Sequence, residues 1–256
     1  MSNIAIEFKH VCKHFDESGY YAVNDVSLTV NEGEFITILG SSGSGKTTLL
    51  KMVNRLYEPD DGDIILFGEN AKDVDVVRLR RRIGYVIQQV GLLPHMTVGE
   101  NIAIVPKLLK WDQEKIQARV KELLELVDLE PSEYCNRYPD QLSGGQQQRI
   151  GLARALAVDP KIMLLDEPFG AIDAINRINL QEELLRLHSG LKKTFLFVTH
   201  DIGEALKMGD RVVVMDGGKV CQFDTPRNIV KNPAEGFVAS LIESYRRQEQ
   251  FWEELA

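Results

Sequence analysis

The residues best suited to chemistry form the string Gly40-Ser41-Ser42-Gly43-Ser44-Gly45-Lys46-Thr47, which fits G-x-x-x-x-G-K-[ST] at every fixed position. Gly43 and Gly45 can take backbone angles closed to other residues, so consecutive N–H groups can turn inward around a phosphate chain at a helix N-terminus. Lys46 adds a point charge, and Thr47 offers a hydroxyl to Mg²⁺. The apolar run Phe35-Ile36-Thr37-Ile38-Leu39 precedes the loop and Thr48-Leu49-Leu50-Lys51-Met52-Val53-Asn54 continues it as a helix. A flexible Gly/Ser linker would lack both flanks. A second string, Lys161-Ile162-Met163-Leu164-Leu165-Asp166-Glu167, reads as a buried strand ending in adjacent carboxylates. Neighbouring strand residues face opposite ways, so Asp166 suits a Mg²⁺ that bridges phosphates while Glu167 suits orienting and deprotonating an attacking water.

The third string is Leu142-Ser143-Gly144-Gly145-Gln146-Gln147-Gln148-Arg149. Ser143 can cap the helix that follows, and Gly144 and Gly145 expose its first N–H groups, making a second anion-receiving terminus. One nucleotide does not need two cradles. Either this terminus faces the γ-phosphate held by a second copy of the chain, or it is an ordinary helix cap, and local physics favours neither.

These strings need elements to hold them. Residues 3 to 39 alternate apolar and polar in short bursts, as in Val26-Ser27-Leu28-Thr29-Val30, and predict antiparallel strands leading into the glycine loop. Strands are expected again at 63–67 and 83–87. From about 90 to 158 the pattern turns helical, with helices over 98–109 and 113–127 and a third opening at Ser143. Continuous apolar runs from Lys161 onward, at 162–165, 194–199 and 212–215, suit a parallel sheet covered on both faces. The tail, 237–256, reads as one surface helix. With 256 residues, 44% hydrophobic and 27% charged, the chain is expected to fold around one large core or two unequal ones. No apolar run approaches the roughly 18 residues that span a bilayer, and the first residues lack the features of a signal peptide, so a cytoplasmic location is expected. Cys12, Cys135 and Cys221 are odd in number and far apart, which suits reduced thiols. A net charge of −8 disfavours nucleic acid as a partner; the one dense basic run, Arg78-Leu79-Arg80-Arg81-Arg82, reads as a solvated helix end.

Taken together, the order GSSGSGKT, LSGGQQQR, LLDEP resembles the ATP-binding subunit of an ABC transporter over roughly residues 4 to 235, with 120 residues from Lys46 to Asp166. The resemblance implies an α/β fold: a P-loop NTPase core with a mixed, mainly parallel sheet, an N-terminal antiparallel β part and an inserted helical subdomain. The ATP-binding domain would occupy 1–235, with the helical subdomain at about 90–158, and a helical tail 236–256. The cofactors implied are ATP and Mg²⁺. Gly40, Ser41, Ser42, Gly43, Ser44, Gly45, Lys46, Thr47 and Thr48 would bind nucleotide, with Thr47, Gln88 and Asp166 at the metal. Glu167 and His200 would be catalytic, His200 as the switch histidine on the γ-phosphate. Gln88 matches the glutamine that senses metal and water, with Gln89 as its nearest rival. Ser143, Gly144, Gly145 and Gln146 would act on the partner's ATP, and Asp173 would communicate between protomers, although Ile172 and Gly170 replace the commoner Leu and Ser around it. Phe15 stands where an aromatic, usually Tyr, stacks on adenine; core packing is its alternative, and Tyr20 or Tyr21 could substitute.

Residues 85–111 resemble the subunits that energise uptake of osmoprotectants such as glycine betaine, carnitine and choline. Expected partners are a second copy of the subunit, membrane permease subunits and, indirectly, a solute-binding protein, with the chain peripheral on the inner face of the cell membrane. The stretch from Gln88 to Met96 either helps form the groove that receives the permease or is buried within the helical subdomain. Many members of that branch carry a pair of regulatory CBS domains, for which this chain has no room, so a short or shortened member is expected. An importer ATPase for another solute is the alternative. A soluble repair or translation ATPase would need a long coiled-coil insertion or two cassettes, and a non-hydrolysing regulatory module would lack Glu167 or His200.

Overall fold

The computed structural model describes residues 3–15, 21–88, 90–170 and 172–255. In chain order its elements are β1 (Ile4–His14), β2 (Tyr21–Asn31), β3 (Phe35–Gly40), α1 (Lys46–Val53), β4 (Asp61–Leu66), β5 (Glu69–Asn70), α2 (Val76–Arg80), β6 (Ile83–Val86), α3 (Val98–Leu108) and α4 (Gln113–Leu126). There follow α5 (Pro131–Tyr134), α6 (Gly144–Leu156), β7 (Ile162–Asp166), α7 (Ala174–Leu191), β8 (Thr194–Thr199), α8 (Ile202–Met208), β9 (Arg211–Asp216), β10 (Lys219–Asp224), α9 (Pro226–Lys231) and α10 (Phe237–Leu255). The chain divides into two compact units, residues 1–76 with 194–256, and residues 77–193.

In the first unit the alternating N-terminal segments make an antiparallel sheet in the order β2-β1-β4-β5. Val26, Leu28 and Val30 are buried while Ser27 and Thr29 are exposed, as a strand with one covered face requires. Phe8 sits opposite Leu28 on one side and Ile64 on the other. In the same unit strand β3, expected among the antiparallel segments of 3–39, instead pairs in parallel with both β8 and β9, its residues being buried on both faces, and β9 pairs antiparallel with β10. All residues of β3 and β8 are buried, which is why their sequences run apolar without alternation. Thr37, the polar exception in β3, donates its hydroxyl to the Ala205 carbonyl at 3.0 Å. The tail helix α10 differs from the expected surface helix. Val238 and Ile242, one turn apart, are buried with Leu39, Ala205, Val212, Val214 and Ile229, so its first turns close the core behind the glycine loop.

The second unit pairs β6 with β7 in parallel, Ile83 opposite Ile162 through Val86 opposite Leu165. Its helices α3 to α6 lie within 98–156, and the unit also takes in β6, β7 and α7. Thr97 and Glu100 form a reciprocal capping box that starts α3. Helix α4 buries Ile116, Val120, Leu123 and Leu124, the three-and-four spacing of a helix with one covered face. All three cysteines are free. Among the described residues no helix is long and apolar enough to cross a membrane.

Candidate nucleotide site

Strand β3 ends at Gly40, and the loop turns from there into α1. Two of its glycines are required by space. A Cβ on Gly40 would stand 2.2 Å from the Met215 carbonyl oxygen, and one on Gly45 would stand 2.1 Å from that of Ala22, at a φ of 99° that disfavours side chains in any case. Gly43, at φ 78°, has nothing within 4 Å of where its Cβ would be, so the loop is open on that side. Gly45 is the N-cap of α1 and has no side chain with which to cap it, leaving the positive end of the helix to a ligand. Lys46 is 5% exposed, and its ammonium donates to the carbonyls of Gly40 and Ser41, both at 2.8 Å. The Ser44 hydroxyl is buried without a protein partner. A concave loop with one open side, a helix N-terminus, a buried cation and a spare buried hydroxyl fit a polyphosphate.

Elsewhere in the same unit Phe15 is 58% exposed, which is not a core position. Its ring meets the Tyr57 ring edge-on, with centroids 5.0 Å apart. Tyr21 packs edge-on against His14, and Tyr20 lies outside the described residues. His200 is exposed immediately after β8. The turn that carries it is fixed on both sides: Thr199 donates to the Glu204 carboxylate at 2.6 Å, and Asp201 caps α8 through the Glu204 N–H.

In the second unit β7 delivers Asp166 nearly buried, and the Tyr85 hydroxyl on the adjacent β6 donates to it at 3.3 Å. The next residue breaks the strand: Glu167 has a φ of 44°. A non-glycine residue in the left-handed region stores roughly 1–3 kcal/mol of strain and occurs preferentially at functional positions. Gln88 donates from Nε2 to the Glu167 carboxylate at 3.3 Å, and Gly170 N–H donates to the Glu167 carbonyl at 3.2 Å. Gln89 lies outside the described residues. The Asp166 carboxylate and the Gln88 amide carry oxygen donors of the kind that suits Mg²⁺, which takes its other ligands from phosphates and water. Reasoning from sequence missed Tyr85 and the backbone turn at Glu167. The first depends on the register of β6 against β7; the second has no residue-type signal, since glutamate does not favour left-handed angles.

Ser143 caps α6 in a capping box: its hydroxyl accepts from Gln146 N–H at 3.3 Å, and the Gln146 side-chain oxygen accepts from Ser143 N–H at 2.9 Å. The cap is therefore real, yet nothing lies within 4 Å of a Cβ placed on Gly144, and a Cβ on Gly145 would meet only Leu180 at 3.9 Å, so the terminus stays open. Ser143, Gly145, Gln146 and Arg149 line one polar concavity with Tyr134 and Asn176. Asp173 caps α7, and the Asn176 side chain and backbone N–H, as donors, hold its carboxyl below its ordinary range. The stretch after Gln88 falls between its two expected roles. Arg154 donates to the carbonyls of Val90 and Gly91, and the buried Asn101 amide bonds Leu93, Met96 and Thr97, while Leu92 and Leu93 stay half-buried. Beside it α3, α4 and α5 form an open groove with Ala103, Ile116, Val120 and Leu124 on its lining.

Comparison with known proteins agrees with these features. The model of the family described as ABC transporter matches residues 23–170. The carnitine transport ATP-binding protein OpuCA of Listeria monocytogenes is 55% identical over 93% of the chain, and the choline transport ATP-binding protein OpuBA of Bacillus subtilis is 55% identical over 88%. The chain spans 59% of the length of each of these relatives. It covers 75% of the glycine betaine uptake system ATP-binding protein YehX of Escherichia coli, at 51% identity over 91% of the chain. Among solved structures, the dimeric ATP-binding cassette MJ0796 bound to ADP and Pi superposes with a TM-score of 0.76 at 36% identity, covering 87% of this chain and 99% of that one. The structure of cbiO1 from Clostridium perfringens, described as part of the ABC transporter complex cbiONQ, gives 0.83 at 25% identity, covering 90% and 92%. With its glycine loop, its carboxylate pair and its capped but open α6 terminus, the chain belongs to the ABC transporter family.

Proposed function

We propose that the chain is the ATP-hydrolysing subunit of an importer for osmoprotectants of the glycine betaine, carnitine and choline class. The observation that carries hydrolysis, rather than binding alone, is the Gln88–Glu167 contact on a strained turn. A carboxylate held by an amide at the end of a buried strand is placed to accept a proton from water. In this reading Gly40, Ser41, Ser42, Gly43, Ser44, Gly45, Lys46, Thr47 and Thr48 bind the phosphates, Phe15 stacks on the adenine, and His200 contacts the γ-phosphate. Thr47, Gln88 and Asp166 hold Mg²⁺, which when bound neutralises charge on the phosphate oxygens. Ser143, Gly144, Gly145 and Gln146 act on a nucleotide held by a second copy, and Asp173 communicates between the two. The carnitine, choline and glycine betaine names of the relatives support the solute class. A membrane permease, indirectly served by a solute-binding protein, would place the subunit on the inner face of the membrane, with the 88–96 stretch and the neighbouring groove of α3 to α5 as the contact surface.

Glu167→Gln tests the chemistry. It should keep ATP affinity, lose turnover by about two orders of magnitude or more, and accumulate an ATP-bound dimer; turnover near the parental rate would remove Glu167 from the role. Co-purification with the native permease, followed by uptake of labelled glycine betaine, carnitine and choline into vesicles, tests the solute. Uptake of none of the three would assign the subunit to another importer.

A further inference from the structure

Tyr57 has no part in the phosphate or metal chemistry, yet it touches the ring proposed to stack on adenine. Phe15 sits just past the end of β1, more than half exposed, and an isolated exposed phenyl ring would sample several rotamers. Its edge-to-face contact with Tyr57 restricts that freedom. Tyr57 is itself held firmly. The turn after α1 is tied by the N–H groups of Leu56 and Tyr57, both donating to the Lys51 carbonyl, at 2.9 and 3.3 Å. Arg55, left-handed at φ 54°, donates to the carbonyls of Ala71 and Val74 and pairs with Glu58. The Lys51 ammonium stands 5.6 Å from the centre of the Tyr57 ring.

Three residues further on, Asp60 clamps the strand that carries Phe15. Its carboxylate accepts from Lys13 at 2.8 Å, from His14 N–H at 2.7 Å and from the His14 ring at 2.9 Å, while Asp60 N–H donates to the Cys12 carbonyl. The turn from Tyr57 to Asp60 therefore grips residues 12–15 at both the backbone and the ring. This turn follows directly from α1, the helix whose N-terminus carries Lys46 and Thr47.

We propose that Tyr57 is a positioning residue for nucleotide recognition: with the Asp60 clamp, it presets the Phe15 ring for a purine base, so that the helix that receives the phosphates also sets the base-stacking surface. The proposal rests on the reading of Phe15 as the stacking ring and goes one step beyond it. An aromatic contact of this kind corresponds to about a three- to tenfold effect on binding.

The test is calorimetric titration of the full chain with Mg-ADP, and with Mg-pyrophosphate as a probe that has no base. Tyr57→Leu should weaken ADP about three- to tenfold and leave pyrophosphate affinity unchanged, and Tyr57→Phe should retain parental ADP affinity, because the ring and not the hydroxyl makes the contact. Phe15→Ala should weaken ADP by about tenfold or more, and adding Tyr57→Leu to it should cost little further, since Tyr57 acts through Phe15. If Phe15→Ala leaves ADP affinity intact, the stacking reading fails and the proposal with it. If Phe15→Ala weakens ADP while Tyr57→Leu does not, the proposal alone is overturned. Equal weakening of ADP and pyrophosphate by Tyr57→Leu would mean that the ring merely supports the fold around α1, and would overturn it as well.

Discussion

At the scale of single residues the glycine loop shows how differently two glycines of one motif are constrained. Gly43 and Gly45 both have positive φ, but only at Gly45 does the backbone of another strand fill the place of a Cβ. Gly43→Ala should therefore cost about 1 kcal/mol of stability through backbone strain, while Gly45→Ala must also displace the chain at Ala22 and should cost several times more. Thermal melts of the two variants side by side check this; equal losses would mean that the loop relaxes freely. A second expectation concerns Tyr85, whose hydroxyl bonds Asp166. Tyr85→Phe removes one hydrogen bond of ordinary worth, about 1 kcal/mol. If the chain hydrolyses ATP with Mg²⁺ as proposed, Mg²⁺ titration of that activity should shift the half-activating concentration about fivefold upward while the rate at saturating Mg²⁺ stays near the parental value. A loss of rate that Mg²⁺ does not restore would place Tyr85 outside metal positioning.

At the scale of elements the tail helix and the sheet edge carry the clearest expectations. Ile242 on α10 is buried among Leu39, Val212 and Val214, so Ile242→Ala should cost about 2–5 kcal/mol, the range for deleting a core side chain. A helix that merely lay on the surface would lose well under 1 kcal/mol, and denaturant melts separate the two. Glu34, which opens β3, links three elements. It accepts from Asn31 at the end of β2 and from Arg211 at the start of β9. Burial acts to raise its carboxyl, but the Arg211 guanidinium and the Asn31 donors outweigh burial and hold it below the usual 4.5. A carboxylate with a depressed folded-state pKa stabilises above its unfolded pKa, near 4.3, and loses that contribution as pH falls through the lower folded value. Glu34→Gln should therefore lower stability by about 1 kcal/mol at pH 7, an amount already discounted for its partial exposure. The difference from the parent should fade below about pH 4. A difference that persists unchanged at pH 3 would assign it to packing and not to charge.

At the scale of the whole molecule, net charge bears on the proposed meeting of two copies. Each chain carries −8, and two such bodies about 40 Å apart in water repel by roughly 6 to 7 kcal/mol without screening, an upper bound because the real charges are mixed in sign. At 0.01 M salt, where the Debye length is about 30 Å, screening already leaves only about 2 to 3 kcal/mol of this, and at 0.15 M, where it is about 8 Å, less than about 1 kcal/mol remains. The proposed attraction of Lys46 and Mg²⁺ for phosphate would act over short, dry distances and weaken less. ATP-dependent dimerisation of Glu167→Gln should thus strengthen over that range, by up to about tenfold in the equilibrium constant. Sedimentation across a salt series measures it, and a dimer that weakens steadily would show that local ion pairs outweigh net charge.

The local strings were legible because each is short and its chemistry lies in residue type at fixed spacing. A glycine loop ending in Lys46-Thr47, an apolar run ending in Asp166-Glu167 and a serine before paired glycines each restrict the backbone within a few residues. Unalternating apolar runs likewise marked β7 and β8 as strands covered on both faces, whereas β3, read among the alternating antiparallel segments of 3–39, pairs in parallel with β8 and β9. What the linear order left open depends on which distant segments become neighbours. The alignment of β6 with β7 brings the Tyr85 hydroxyl to Asp166, 81 positions away. The turn after α1 brings Tyr57 to Phe15. Burial of α10 is decided by the surface that β3, β9 and α8 present to Val238 and Ile242, since the helix's own period shows only that one face is apolar. The left-handed backbone at Glu167 is imposed from outside as well, because a glutamate would not choose it unaided. Residue types thus determined which chemistry the chain carries, and tertiary packing decided how its groups are held, because register, burial and strain arise from contacts between segments far apart in the chain.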